Sequence, residues 1–243
     1  MSGHRPSENS ISYRFSKAIV DSPRSSLVIA LLLSLLFIPG AFQIQSSFTP
    51  RIWFSKDHPE MKKLDAFEKK FGNDQKIIIA VQAKEIITNE NLSFIQKITE
   101  TLWKVPDVIR VESLTNTTQI SGKDDQILIR PFVKDPPEYN QKSLKDLKKT
   151  LLNDDVVPDF YLSQDTNFAL IYGFLRPSFQ KEPNYENIVL GAKKQIQNIE
   201  APAEAKIHYL GDATANYSFQ EIAASDNKII IPFMIIIISL IIF

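Results

Sequence analysis

The side chains best suited to chemistry in this chain do not converge. Its three histidines, His4, His58 and His208, share no metal-ligand spacing. Cysteine is absent, which removes disulfides, zinc–thiolate sites and thiol catalysis together. Asp124-Asp125 and Asp154-Asp155 are adjacent carboxylates. Neighbours along a strand or turn point apart, so both pairs read as solvated turns rather than as an acid–base couple. No G-x-S-x-G, no phosphate-binding glycine loop and no H-E-x-x-H is present, and only 7 glycines occur. Asn91, Asn116 and Asn216 each begin an N-x-[ST] sequon, which signals glycosylation only in a eukaryotic host. Six aromatic residues have the chemistry to line an apolar path: Trp53, Phe54, Trp103, Phe160, Tyr161 and Phe174. On strands and amphipathic helices such residues more commonly form core, and Trp53 and Phe54 suit an interfacial belt equally well. No catalytic, cofactor-binding, metal-ligating or substrate-binding residue is assigned. The expectation is a non-enzyme without cofactors.

Lys+Arg and Asp+Glu each number 28, and zero net charge gives no electrostatic case for nucleic acid binding. Hydrophobicity is concentrated at two places. Leu27–Ile44 carries no charge over about 18 residues, the lower end of spanning length. It follows a polar tail with Arg5, Arg14, Lys17 and Arg24 against Glu8 and Asp21, which predicts a cytoplasmic N-terminus. The long tail and the lack of a small-x-small site in Gln43–Ser47 favour an uncleaved helix over a signal peptide. Ile229–Phe243 is also uncharged, with Ser239 its one strongly polar side chain. At about 1.5 Å per residue it spans roughly 22 Å, short of a ~30 Å hydrocarbon core, so it reads as an interrupted second span. The predicted organisation is a tail over 1–25, a membrane helix over 26–44, an extracytoplasmic domain over 45–228 and an incomplete membrane helix over 229–243.

Periodicity divides the domain. Asp57 is placed as the cap of a helix with Pro59 in its first turn, Met61, Leu64, Phe67 and Phe71 as its apolar stripe and Gly72 as its stop. Lys76–Ala83 reads as a buried strand. Thr88 or Asn89 caps a second helix with Leu92, Ile95, Ile98 and Leu102 on one face. Val108–Leu114 and Gln126–Val133 read as strands, the latter cut short or held at an edge by Pro131. Ser143-x-x-Asp146 resembles a capping box before Leu144, Leu147 and Leu151. Phe160–Leu175 reads as a hairpin turning at Gln164–Asn167. Tyr185, Ile188, Ala192, Ile196 and Ile199 form a third helical stripe, Lys206–Leu210 is a last strand, Gly211 turns the chain, and 213–228 forms a helical stalk. Setting aside an insertion at about 118–163, the order is strand, helix, strand, strand, helix, strand. The expected class is α+β, with the split βαβ pattern of ferredoxin-like folds.

Taken in order, several short motifs resemble the opening of a resistance-nodulation-division transporter, in the MmpL-type and hopanoid-exporter branch. They are the basic tail before the first apolar segment, Asp57-His58-Pro59, Leu64, Phe67, and Phe71-Gly72-Asn73-Asp74 directly before a strand. Leu162-Ser163-Gln164-Asp165 with its following apolar strand, Gly211, Asp226 and Pro232 complete the series. The resemblance implies a periplasmic porter domain in the inner membrane, in a protein of two related halves. It places the energy-coupling acidic residues on later helices, so none is carried over to this chain.

The resulting expectation is the N-terminal portion of a proton-driven exporter of lipids or other hydrophobic compounds. It would not transport alone, and would be either a split subunit or a truncated product. Its expected partners are the bilayer, a remaining transporter segment or further copies of itself, and a hydrophobic substrate. The alternative is a membrane-anchored sensor whose extracytoplasmic domain binds a small ligand.

Overall fold

A computed structural model describes residues 11–41, 49–55, 57–123, 126–179 and 182–242. His4, Asp124 and Asp125 lie outside these residues. The chain divides into two compact units, Met1–Ser46 and Ser47–Phe243.

The first unit holds α1 (Ile11–Asp21) and α2 (Pro23–Ala41). The polar tail therefore contains a helix that hydropathy did not announce. Pro23 opens α2, where its missing N–H costs nothing. Leu27, Val28, Ile29, Leu32, Leu33 and Leu36 are all exposed on α2.

The second unit starts with a 3-10 turn, Pro50–Trp53, and α3 (Pro59–Phe71). The cap of α3 is His58 rather than Asp57. Pro59 fixes the first helical position, so the preceding imidazole Nδ1 accepts the Glu60 N–H at 3.3 Å. Gly72 ends α3 at φ 81°, a conformation open to glycine.

Then follow β1 (Lys76–Gln82), α4 (Asn89–Leu102), β2 (Val108–Ser113), β3 (Thr118–Lys123), β4 (Gln126–Pro131) and α5 (Gln141–Leu152). β5 (Phe168–Leu175), α6 (Tyr185–Ile196), β6 (Lys206–Leu210) and α7 (Gly211–Ile242) complete the order. Thr88 caps α4 and Asn184 caps α6. Asn140, not Ser143, caps α5, and the Ser143 N–H is what its side chain receives at 2.9 Å.

The main sheet has four strands in the order β2-β5-β1-β6, each antiparallel to its neighbours. β1–α4–β2 is a parallel crossover that leaves a gap for β5, and β5–α6–β6 leaves a gap for β1. The two strand–helix–strand pieces interleave. Ile77, Ile79 and Val81 of β1 share a face with Ala169, Ile171 and Leu175 of β5, all fully buried. That face joins Leu92, Ile95, Ile98 and Leu102 of α4 and Ile188, Ala192 and Ile196 of α6 in one core. The region between β2 and β5 carries two strands, not one: β3 and β4 form a separate hairpin.

The predicted hairpin over Phe160–Leu175 is corrected to one strand. Its first arm makes a single bridge, Leu162 to Ala169. The reason is occupancy. β2 takes the same edge of β5 from Ser113↔Ile171 onward, so the arm has no edge left to extend along.

Four junctions meet at one end of the sheet: α3 to β1, α4 to β2, β5 to α6 and β6 to α7. The Leu175 N–H donates to Gln75 O at 2.9 Å, and the Arg176 N–H to Asp107 O at 2.8 Å. Asn73 Nδ2 donates to Arg176 O at 3.3 Å, and the Lys76 N–H to Asp212 Oδ2 at 3.3 Å. Gly211 adopts φ 87° there, and α7 continues from it without interruption through Pro232. Stalk and terminal apolar segment are thus one helix. Among the described residues, Gly211–Ile241 is long and apolar enough to cross a membrane.

The loop before α4 is tied to α5. Lys148 Nζ bonds Glu85 Oε2 and donates to Thr166 Oγ1 at 2.8 Å. Burial alone would raise the Glu85 carboxyl, but the hydrogen bonds from Lys148 and the Ile87 N–H outweigh it and hold it below its ordinary 4.5. A depressed carboxylate stabilises the fold above that value and ceases to as pH falls through its folded-state pKa. Glu85→Gln should therefore cost on the order of 0.5 kcal/mol at neutral pH, given the exposure of the pair. The difference should vanish in urea melts repeated below the carboxylate range.

Candidate functional site

Among the described residues, no helix covers the other face of the sheet. Strand alternation puts Ile78, Ala80 and Gln82 of β1 on this face, beside Phe168, Leu170, Tyr172 and Phe174 of β5. β6 adds Lys206, His208 and Leu210, and β2 adds Arg110 and Glu112. An antiparallel sheet with one wet face normally alternates apolar and polar residues. β5 does not: FALIYGFL is apolar on both sides.

Two arrangements share this face. The first is a groove of about 440 Å³ floored by Ala80, Leu170 and Leu210 and walled by Leu162 and Phe168. Gln82, Asp159, Ser163 and His208 supply its polar rim. His208 Nε2 and Gln82 Oε1 lie 2.9 Å apart. Asp159 holds φ 66°, a region that Asp adopts more readily than most residues, and its carboxylate accepts from Gln164 Nε2 at 2.9 Å.

The second is an aromatic cluster. Phe160 stacks on Tyr172 with centroids 4.9 Å apart, and Tyr161 meets Tyr172 edge-on at 6.0 Å. The Tyr172 hydroxyl donates to Phe160 O at 2.6 Å, and the Tyr161 hydroxyl to Glu112 Oε2 at 3.1 Å. Burial, reinforced by the Glu112 carboxylate, pushes the Tyr161 phenol up to about 12. Neither phenol ionises near neutrality, so both keep the proton they donate. Arg110 lies 4.0 Å from the Phe174 ring centroid and Lys76 5.8 Å, which places two cations beside one ring.

The residues singled out from the sequence scatter. His58 is a helix cap and His208 a groove residue, and no group of acidic or histidine side chains among the described residues is arranged to hold a metal. Asp154 accepts from the Val156 and Val157 N–H groups, as a turn residue does. Asn91 is buried, with its amide donating to Glu85 O at 2.7 Å, so its sequon offers no accessible acceptor in the folded chain. Of the six aromatic residues, Tyr161 is buried and Phe174 packs against the core. Trp103 and Phe160 are exposed, contrary to the core expectation, and Trp53 and Phe54, for which an interfacial belt suits equally well, are exposed too. The groove residues Ala80, Leu170 and Leu210 were not anticipated, although the missing alternation in β5 was the signal that could have found them.

The groove can hold an apolar chain or ring. Its lining is mainly apolar, and Ser163 Oγ on its rim donates to Asp165 Oδ1 at 2.5 Å. The chain matches no known family model, and a search of curated proteins finds no match.

Proposed function

We propose that this chain is the porter-type part of a membrane exporter for lipids or other hydrophobic compounds, of the resistance-nodulation-division kind. The observation that carries the reading is the sheet order β2-β5-β1-β6, built from two interleaved strand–helix–strand units and followed directly by an apolar helix. We read that arrangement as the ferredoxin-like pattern. We read α2 and the apolar part of α7 as two spans of the inner membrane, with α1 cytoplasmic and the sheet domain periplasmic. The open groove is then the surface over which a hydrophobic substrate passes.

No acidic residue lies in Leu27–Ile44 or Ile229–Phe243. The reading therefore assigns the proton path to partner helices, and reconstituted chain alone should give no proton-coupled flux. Substrate contact is tested by photolabelling the full chain in nanodiscs with a diazirine-bearing alkyl lipid. Labels should map to Leu162, Leu170 and Leu210 as well as to α2 and α7. Leu170→Asp should reduce groove labelling about tenfold, the effect of losing one buried leucine contact. Labelling confined to α2 and α7 would sink the substrate-path reading.

A further inference from the structure

α3 faces the wrong way for a soluble domain. Two of its three acidic residues turn inward: Arg51 reaches Asp65 at 2.6 Å and Glu68 at 2.8 Å, and Glu68 is only 9% exposed. The Thr49 hydroxyl, two residues before Arg51, donates to Glu182 at 2.9 Å and ties this inner side to the loop before α6. Met61 of its apolar stripe is buried, but Leu64, Phe67 and Phe71 turn outward, exposed by 40%, 56% and 66%. Trp53, in the 3-10 turn that carries Arg51, is 81% exposed. An amphipathic helix in water buries its apolar stripe. Here an ion-paired inner face fixes that stripe on the free side.

The charges around the stripe name the medium. Lys63 pairs with Glu60 and Lys62 with Asp57, while Asp65 and Glu68 are engaged by Arg51. Lys69 and Lys70 have no carboxylate partner among the described ion pairs, and Lys70 lies 5.2 Å from the Phe71 ring centroid. Exposed phenylalanine and tryptophan flanked by lysine is the composition of a helix lying in a membrane interface.

Reach agrees. α3 hangs from β1 by residues 72–75, which extend at most about 14 Å, and the helix adds a diameter of about 10 Å. Its outer face can therefore lie about 24 Å from the sheet end. α7 leaves that same end at Gly211 and becomes uninterruptedly apolar at Ile229, about 27 Å further along.

We propose that α3 and the Pro50–Trp53 turn form an interfacial foot, which rests on anionic phospholipid headgroups with Phe67, Phe71 and Trp53 dipped into the acyl boundary. The inference rests on α7 spanning the bilayer. Trp53 and Trp103 are the two tryptophans of the chain. Trp103 sits at the α4–β2 junction and serves as the internal control.

The test is quenching by lipids brominated near the headgroup, using the full chain in phosphatidylcholine–phosphatidylglycerol vesicles. Trp103→Phe, which leaves Trp53 as the sole reporter, should lose about half its emission, as expected for a side chain at the acyl boundary. Trp53→Phe should lose little. In phosphatidylcholine alone the Trp53 signal should be less quenched. A third variant, Phe233→Trp on the double tryptophan-to-phenylalanine background, reports on α7. If Phe233→Trp is quenched by deeply brominated lipid and Trp53 is not, the foot is refuted while the membrane reading stands. If neither is quenched, the spanning of α7 fails and the foot with it. Equal quenching of Trp53 and Trp103 would also overturn the foot, since it would mean general adsorption.

Discussion

Gly211→Val should cost the domain about 2–5 kcal/mol, on the order of 10 °C of melting temperature for a chain of this size. Two terms add. At φ 87° a β-branched residue is strained by about 1–2 kcal/mol or more. A Cβ at this position would stand 2.6 Å from Lys76 O and 3.2 Å from Ile78 N, both backbone atoms of the central strand. Neither can move without breaking the pairing of β1 with β6, and overpacking of this kind costs about 1–3 kcal/mol. The variant should therefore loosen the α7 root as well as lower the midpoint. Thermal melts of the full chain in detergent, followed by circular dichroism, measure the effect. Gly122→Val is the control, since nothing lies within 4 Å of that position and its φ is ordinary. It should change stability by less than about 1 kcal/mol, in the favourable direction if β propensity decides. Equal losses at both positions would mean that Gly211 is not pinned against β1.

The second large effect separates two helices that the sequence makes look alike. Ile98 of α4 is fully buried, and Phe67 of α3 is 56% exposed. Ile98→Ala should cost about 2–5 kcal/mol through lost burial and a residual cavity. Phe67→Ala should cost within about 0.5 kcal/mol, as an exposed substitution does. Urea midpoints of the two variants against the parent chain decide it. A large loss for Phe67→Ala would mean that α3 packs its stripe inward after all.

That pair also marks what was legible. Spacing of apolar residues at three and four positions announces an amphipathic helix, and α4 and α6 behave as their stripes foretell. The same spacing in α3 gives the helix but not the face it buries: Met61 is buried, while Leu64, Phe67 and Phe71 are exposed. Orientation there is set by Arg51, which lies outside the helix and draws Asp65 and Glu68 inward. Periodicity carries no information about such a partner.

Strands behaved similarly. β1 was legible because it is a short apolar run bounded by polar residues. The first arm of the Phe160–Leu175 hairpin failed because β2, some fifty residues earlier, holds the edge it needed. β3 was missed because TQISGK contains a single large apolar residue, and its hairpin with β4 draws nothing from the main core. The groove stood half-declared in β5, whose apolar residues on both faces required a second apolar neighbour. Caps moved by a few residues where a proline or an asparagine outcompeted the expected side chain: Pro59 moved the cap from Asp57 to His58, and Asn140 displaced Ser143.

The central claim is that the interleaved sheet domain stands outside a membrane that α2 and α7 cross. Sidedness tests it directly, and a chain without cysteine is suited to the measurement. Ser16→Cys in α1 and Lys142→Cys in α5 are both exposed positions, labelled in intact cells with a membrane-impermeant maleimide. Lys142→Cys should react at once, and Ser16→Cys only after permeabilisation. Equal protection of both positions until the cells are permeabilised would put the domain on the cytoplasmic side and contradict the account.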